Sequence, residues 1–302
     1  MPWTPMPTMP TALMSKLRIP EFRMPEVWLT ALMFILVLMW LPTTASAQQT
    51  RQPFSQCLAV AQALPGAIYA NFTPGTKTQN PILAQARSSE VEIAFAGHST
   101  YVITTPSGVT IATDYNGWSG HVSVPRVVTM NKAHSSHFTL SPDERIEHVL
   151  RGWNFDQTPA DHNVVVDDVY VRNVTTDIRN FGTMEADGNS IFIFEVADLC
   201  IGHLGHLHHP LEDKHFAKIG RLDIVMVPVD GGLTLSHEAM TGIARRLQSS
   251  ILLPMHRRGA PLSSFIQMMG DSFATDFVAS DRFTVSARTL PRRPTILVLD
   301  GV

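Results

Sequence analysis

Histidines are the residues of this chain whose type and spacing could do chemistry. Of the 13 in the sequence, five fall in "CIGHLGHLHHPLEDKH", Cys200 to His215. A neutral imidazole binds a transition metal, and a titrating one moves a proton near neutral pH. A histidine-rich tract also occurs as a loose metal sponge or as plain surface, so flanking residues have to decide. His134 and His137 stand three apart in "KAHSSH", which puts both rings on one side of a first helical turn or a tight loop. A third imidazole from a separate segment would complete a set suited to an ion such as zinc.

The segments that carry these residues share one feature. "VTIAT" runs into Asp114, and "RVVTM" into Asn131, Lys132, His134 and His137. "LCIG" runs into His203 and His206, "DIVMVPV" into Asp230-Gly231-Gly232, and "SILLPM" into His256. Ligands of open α/β sheets sit just outside the carboxyl ends of the strands. If these five ends lie on one edge, their side chains converge. His208, His209 and His215 read as exposed residues beyond a strand end, with His208 or His209 available at a site rim. His121, His148, His162 and His237 lie in polar surroundings and read as surface.

The elements needed to position them are legible. "VEIAFAG" and "TYVITT" alternate around a Gly97-His98-Ser99 break, and "SIFIFEVADLCIGH" predicts a hairpin turning at Ala197-Asp198. "NVVVDDVYVRNVTT" supplies one or two strands. Ser236 predicts the cap of a helix with Met240, Ile243 and Leu247 on one face. Strand, helix, strand over "DIVMVPV" to "SILLPMH" makes a βαβ unit. Many strands with few helices predict an α/β protein of two sheets with outer helices.

The stretch from Phe95 to Tyr115, "FAGHSTYVITTPSGVTIATDY", resembles the opening of metallo-β-lactamase-fold hydrolases. "HLGHLHHPL", "IGRLDIVMVPVDGG" and "SILLPMH" resemble their second half, so the likeness spans about residues 90–258 in the family's order. It implies an αββα sandwich with a metal site at one edge of the two sheets. The family's H-x-H-x-D-H run aligns with Lys132 to His137, so Lys132 replaces the first His and Ser136 the Asp. His134 and His137 match the remaining positions, His206 stands at the metal-bridging Asp, and His256 at the last metal His. The family's middle His has no counterpart in "NVTTDIRNFGTM".

This alignment implies His134, His137, His206 and His256 as ligands of one ion, zinc or another divalent transition metal, with His203 held as a rim candidate. Such an ion lowers the pKa of a bound water towards neutrality. His98 is placed near the site, to orient a ligand or accept a proton, or else as a structural His of the hairpin. Asp114 is expected to fix a ligand His in one tautomer, and Asp230 to do the same or only to shape its turn. Lys132 could supply a positive charge in place of a second ion.

The N-terminus reads separately. Lys16, Arg18 and Arg23 precede the uncharged "VWLTALMFILVLMWL", and Ala45-Ser46-Ala47 follows as a small-x-small site. That order predicts a signal peptide over residues 1–47, with an uncleaved anchor as the alternative, and a periplasmic or secreted mature protein without stable membrane insertion. Residues 48–89 are expected to form an N-terminal arm with a short helix in "CLAVAQAL", and residues 90–302 the hydrolase-like domain. Cys200, mid-strand, is expected to serve as a small buried apolar group rather than to pair with Cys57. A net charge of −3 gives no reason to expect a nucleic-acid partner.

Two functions follow from this reading. One is an exported metal-dependent hydrolase acting on a small-molecule ester, lactone, amide or phosphoester. The other is a non-catalytic member of the fold that binds a metal or ligand, which the missing Asp of the run favours.

Overall fold

In the computed structural model, residues 55–61, 89–180 and 182–302 are described here. The segment read as a signal peptide, and all of the arm except residues 55–61, lie outside them. Helix α1 spans Gln56–Ala61 and overlaps the expected helical stretch from Cys57. The strands follow in chain order as β1 Val91–Gly97, β2 Thr100–Thr104, β3 Thr110–Ala112, β4 Val127–Met130, β5 His148–Arg151, β6 Asn163–Val166 and β7 Val169–Asn180. The second half holds β8 Thr183–Val196, β9 Leu199–His203, α2 Asp213–Ile219, β10 Ile224–Pro228, α3 His237–Leu247, β11 Ile251–Met255 and α4 Leu262–Met269. It closes with β12 Ala274–Phe277, β13 Arg282–Val285 and β14 Thr295–Val298.

Two sheets result, in the order β13-β1-β2-β3-β4-β5 and β12-β14-β11-β10-β9-β8-β7-β6. The α/β sandwich expected from the sequence is the fold of the chain. Alternation decides which residues fill it. Tyr101 and Ile103 of β2, Ile111 of β3 and Val127 of β4 join the main core with the apolar residues of β8 to β11. Val102, Ala112 and Val128 face the other way, into a second cluster with Met130, Ile146 and Trp153. Strands β9, β10 and β11 are buried along their whole length, as expected of parallel strands covered on both faces. Helix α3 lies against β10 and α4, burying Met240, Ile243 and Ala244. Its cap is Ser236, whose Oγ accepts the Ala239 N–H.

Register sets the site edge. β3 runs parallel to β4 and β4 to β5, while β9, β10, β11 and β14 run parallel to one another. The carboxyl ends of β3, β4, β9, β10 and β11 therefore leave the sandwich beside one another. At the β8–β9 turn both Ala197 and Asp198 have positive φ, 50° and 63°, the backbone of a tight two-residue hairpin, as predicted.

The expectation for the cysteines is overturned. Cys57 and Cys200 form a disulfide, with their Cα atoms 5.9 Å apart across 143 residues of sequence. The reason is a polar clip that no periodicity reveals. Glu195 of β8 accepts hydrogen bonds from the backbone of Gln56 at 2.8 Å and Cys57 at 3.3 Å and from Ser55 Oγ at 2.6 Å, so it holds the start of α1. Arg172 pairs with Glu195 at 2.8 Å and donates to the Lys218 and Ile219 carbonyls at the end of α2. Those bonds lay α1 beside β9, where Cys200 waits. In the chain-entropy account a link closing so long a loop contributes about 5 kcal/mol. Cys200→Ser, or reduction of the folded protein, should therefore lower the urea midpoint substantially and raise the slope, because the freed unfolded chain exposes more surface. An unchanged midpoint would show that the link contributes nothing.

Candidate metal centre

The site is built from three turns. The first joins β1 and β2, where a bulge between Phe95 and Gly97 precedes His98. The second follows β4, and the third follows β11. His98, Asp114 and His256 all adopt left-handed backbone, with φ of 53°, 43° and 53°. For residues other than glycine this conformation costs on the order of 1–3 kcal/mol each and gathers at functional sites. It persists here because partners fix it. The His256 N–H donates to the His98 carbonyl at 2.7 Å, and Thr100 Oγ1 donates to the Asp114 carbonyl at 3.1 Å.

Four imidazoles meet. One ring nitrogen from each of His98, His134, His137 and His256 lies within 4.8 Å of the other three. His206 adjoins them, with its ring centroid 4.7 Å from His137, 4.7 Å from His256 and 5.0 Å from His134. The predicted convergence of His134, His137, His206 and His256 is thus present as a neighbourhood, but His98, placed by the sequence among catalytic candidates, stands inside the tightest group. Its ring lies 4.3 Å from that of His256.

Two buried carboxylates aim two of the rings. Asp114, fully buried, lies 2.6 Å from His137 Nδ1 and receives the Asn131 amide at 2.9 Å. Asp230, also buried, lies 2.9 Å from His256 Nδ1 and accepts from the Thr234 N–H and hydroxyl and from the Gly232 N–H. Burial alone would raise both carboxyls. For Asp114 the charges of His203 and His137, with hydrogen bonds from His137 and Asn131, outweigh it. For Asp230 the hydrogen bonds from His256, Thr234 and Gly232 do so. Each is held well below the usual carboxylate range. An ionised carboxylate only accepts, so each partner His carries a proton on Nδ1 and turns its Nε2 to the centre. This is the role expected of Asp114, and Asp230 shares it.

The centre is short of hydrogen-bond donors. His98 Nε2, His137 Nε2, His256 Nε2 and both nitrogens of His206 are buried without a partner among the described residues. Leaving one such atom orphaned costs on the order of 1–3 kcal/mol. Burial first, then the neighbouring His256 charge, pushes the His98 imidazole down to about 3. Burial and His137 push His134 down to about 4 and His206 to about 2. All three are neutral at physiological pH, the form a metal requires. An all-nitrogen donor set suits zinc and its transition-metal neighbours and not magnesium or calcium.

Other candidates fall elsewhere. His203 is not a ligand in this arrangement. Its Nε2 donates to the Ser99 carbonyl at 2.9 Å and its Nδ1 accepts the Gly205 N–H at 3.1 Å, so both nitrogens are spent on holding β9 to the first turn. Lys132 forms an ion pair with Glu185 of β8, which accounts for its charge. His208, His215 and His237, read as surface or exposed, are buried. His208 accepts the Arg179 N–H and donates to the Leu233 carbonyl, tying β7 to the loop after β10, while His237 Nε2 donates to the Val229 carbonyl. Two asparagines carry more than the sequence suggested. Asn131 bridges Asp114 to the Ser190 N–H, and Asn189 Oδ1 accepts the His206 N–H at 2.7 Å. Gly205, at φ 64°, fits between them, since a Cβ there would lie 2.4 Å from Asn189 Oδ1 and 2.5 Å from Asn131 Nδ2.

The family model described as "Beta-lactamase superfamily domain" matches residues 92–256. A proposed Zn-dependent hydrolase of the metallo-beta-lactamase superfamily from Thermotoga maritima superposes with a TM-score of 0.51 at 22% identity, covering 69% of this chain and 98% of that one. A proposed metal-dependent hydrolase from Parabacteroides distasonis superposes with a TM-score of 0.48 at 15% identity, covering 60% of this chain and 89% of that one. No curated protein matches the sequence.

The lowered imidazoles set the pH dependence of the metal-free protein. They are neutral when folded and protonate near the ordinary value of 6.5 once unfolded. Their contribution is therefore complete above pH 6.5 and is lost as pH falls through about 4 and about 3. Melts of metal-free protein should show Tm falling between pH 7 and pH 4; a flat profile would contradict neutral burial. The carboxylates give a second expectation. Asp230→Asn should weaken zinc binding by about 10- to 100-fold, measured by competition with a chromophoric chelator.

Proposed function

We propose that this chain, which belongs to the beta-lactamase superfamily domain family, is a metal-dependent hydrolase of a small-molecule ester, lactone, amide or phosphoester. The observation that carries the reading is the set of imidazole nitrogens that face one another at the sheet edge, most of them buried without a partner among the described residues. His98, His134, His137 and His256 would hold one zinc or similar ion, with His206 beside them. When bound, such an ion supplies Lewis acidity and an activated water.

The chain's own residues do the rest. Asp114 and Asp230 keep the protons of His137 and His256 on the far nitrogens, so neither ring turns away. His206 has both ring nitrogens free of partners among the described residues, which leaves it able to join the ion. Lys132, engaged by Glu185, is not needed in this scheme. The fold name does not imply a β-lactam substrate.

A second reading keeps the metal and drops the reaction. It is favoured by Ser136 at the place of the family's Asp and by the engagement of Asp114 and Asp230 with histidines, which leaves no spare carboxylate to steer water. For the location we infer export, supported by the Cys57–Cys200 disulfide, since such links persist in oxidising compartments. Metal analysis of purified protein, followed by a panel of esters, lactones and phosphodiesters, separates the two readings. The hydrolase reading expects about one zinc per chain and turnover that chelation abolishes and zinc restores. Bound zinc with no turnover across the panel would support the binding protein.

A further inference from the structure

A cavity of about 310 Å³ opens beside the imidazole group. Its wall includes His98 and His256 from that group, together with Phe95, Arg257, Arg258 and Val302. The two arginines directly follow His256 and are exposed. Neither meets a carboxylate or a carbonyl among the described residues. Arg126, Arg145, Arg246 and Arg282, by contrast, are each paired with carboxylates.

The backbone that carries the pair is fixed on both sides. The His256 N–H is bound to the His98 carbonyl, and the Ala260 N–H donates to the Asp230 carbonyl at 2.7 Å. Gly259, at φ 146°, permits that approach, because a Cβ there would lie 2.2 Å from the Asp230 carbonyl oxygen. The arginine stems are thus anchored at the metal centre while their guanidinium groups remain unclaimed. A guanidinium presents a planar fork of donors matched to a phosphate or carboxylate. A guanidinium stays charged at any ordinary pH, so the two arginines give this wall a fixed positive charge.

Resting on the hydrolase reading above, we propose that the substrate bears an oxyanion, a phosphate or carboxylate group, and that Arg257 and Arg258 select it. The cavity takes the anionic group while the bond to be cleaved faces the imidazoles. The residues act on specificity, and Lys132 does not share the task.

The test uses the full chain and the variant Arg257→Gln/Arg258→Gln. In zinc-loaded protein, kcat/KM is compared for 4-nitrophenyl acetate, which is neutral, and for mono-4-nitrophenyl succinate and 4-nitrophenyl 3-phosphonopropanoate, whose anionic group is separate from the ester. The anionic-to-neutral ratio should fall at least about tenfold in the variant, chiefly through KM. Arg257→Lys/Arg258→Lys, which keeps charge and loses the fork, should recover part of it. In metal-free protein at pH 7.5, calorimetric titration with inorganic phosphate should show binding that the Gln variant weakens at least about tenfold and that added salt weakens too. An unchanged ratio together with unchanged phosphate binding overturns the proposal. Phosphate binding lost in the variant, in a protein that hydrolyses none of the three substrates, would leave the anion site standing and remove the hydrolase reading. A ratio that falls for the phosphonate ester alone identifies the oxyanion as phosphate-like.

Discussion

Two buried carboxylates decide what this edge of the sandwich can do. Asp114 and Asp230, both buried, each hold the Nδ1 proton of a buried histidine. The consequence lies at the other end of each ring, where Nε2 faces its neighbours without a partner among the described residues. A protein interior does not gather such atoms without cause, because each one has given up its hydrogen bonds to water. Two rings fixed in this way, with His98 and His134 closing the group, define a point at which an electron-pair acceptor fits.

Much of the surrounding structure serves that arrangement. Three left-handed residues, His98, Asp114 and His256, begin the turns that bring rings and carboxylate together. Asn131, Asn189 and Gly205 interlock behind them and join β4, β8 and β9. His203, chemically able to bind a metal, acts instead as a strut between β9 and Ser99. The sheets supply direction. Parallel neighbours send their carboxyl ends to one edge, so residues more than a hundred positions apart in the chain arrive as neighbours.

The sequence made the edge legible because apolar strands ending in His or Asp are a local signal. It pointed to His134, His137 and His256, to the orienting role of Asp114, and to the hairpin at Ala197-Asp198. It undervalued His98, since the sign of its φ, which aims the ring, depends on the bulge at Gly97 and on the His256 N–H that binds its carbonyl. It also missed the disulfide, which depends on Glu195 and Arg172 clipping α1 and α2 together from β7 and β8. Burial of His208, His215 and His237 escaped for a related reason. Each bonds to backbone groups or to its helix cap, and such partners leave no mark in a pattern of polar and apolar residues. Strands β5 and β12 to β14 carry weaker alternation, so the sequence pattern does not mark them.

The central claim is that the unpartnered nitrogens meet at one ion. Anomalous diffraction from zinc-soaked crystals, recorded above and below the zinc absorption edge, tests it most directly. The account predicts a single strong peak about 2.0–2.1 Å from ring nitrogens of at least three of His98, His134, His137 and His256, with none beside His203. Fully soaked crystals with no peak among these rings, or with zinc held only at surface histidines such as His121, would contradict it.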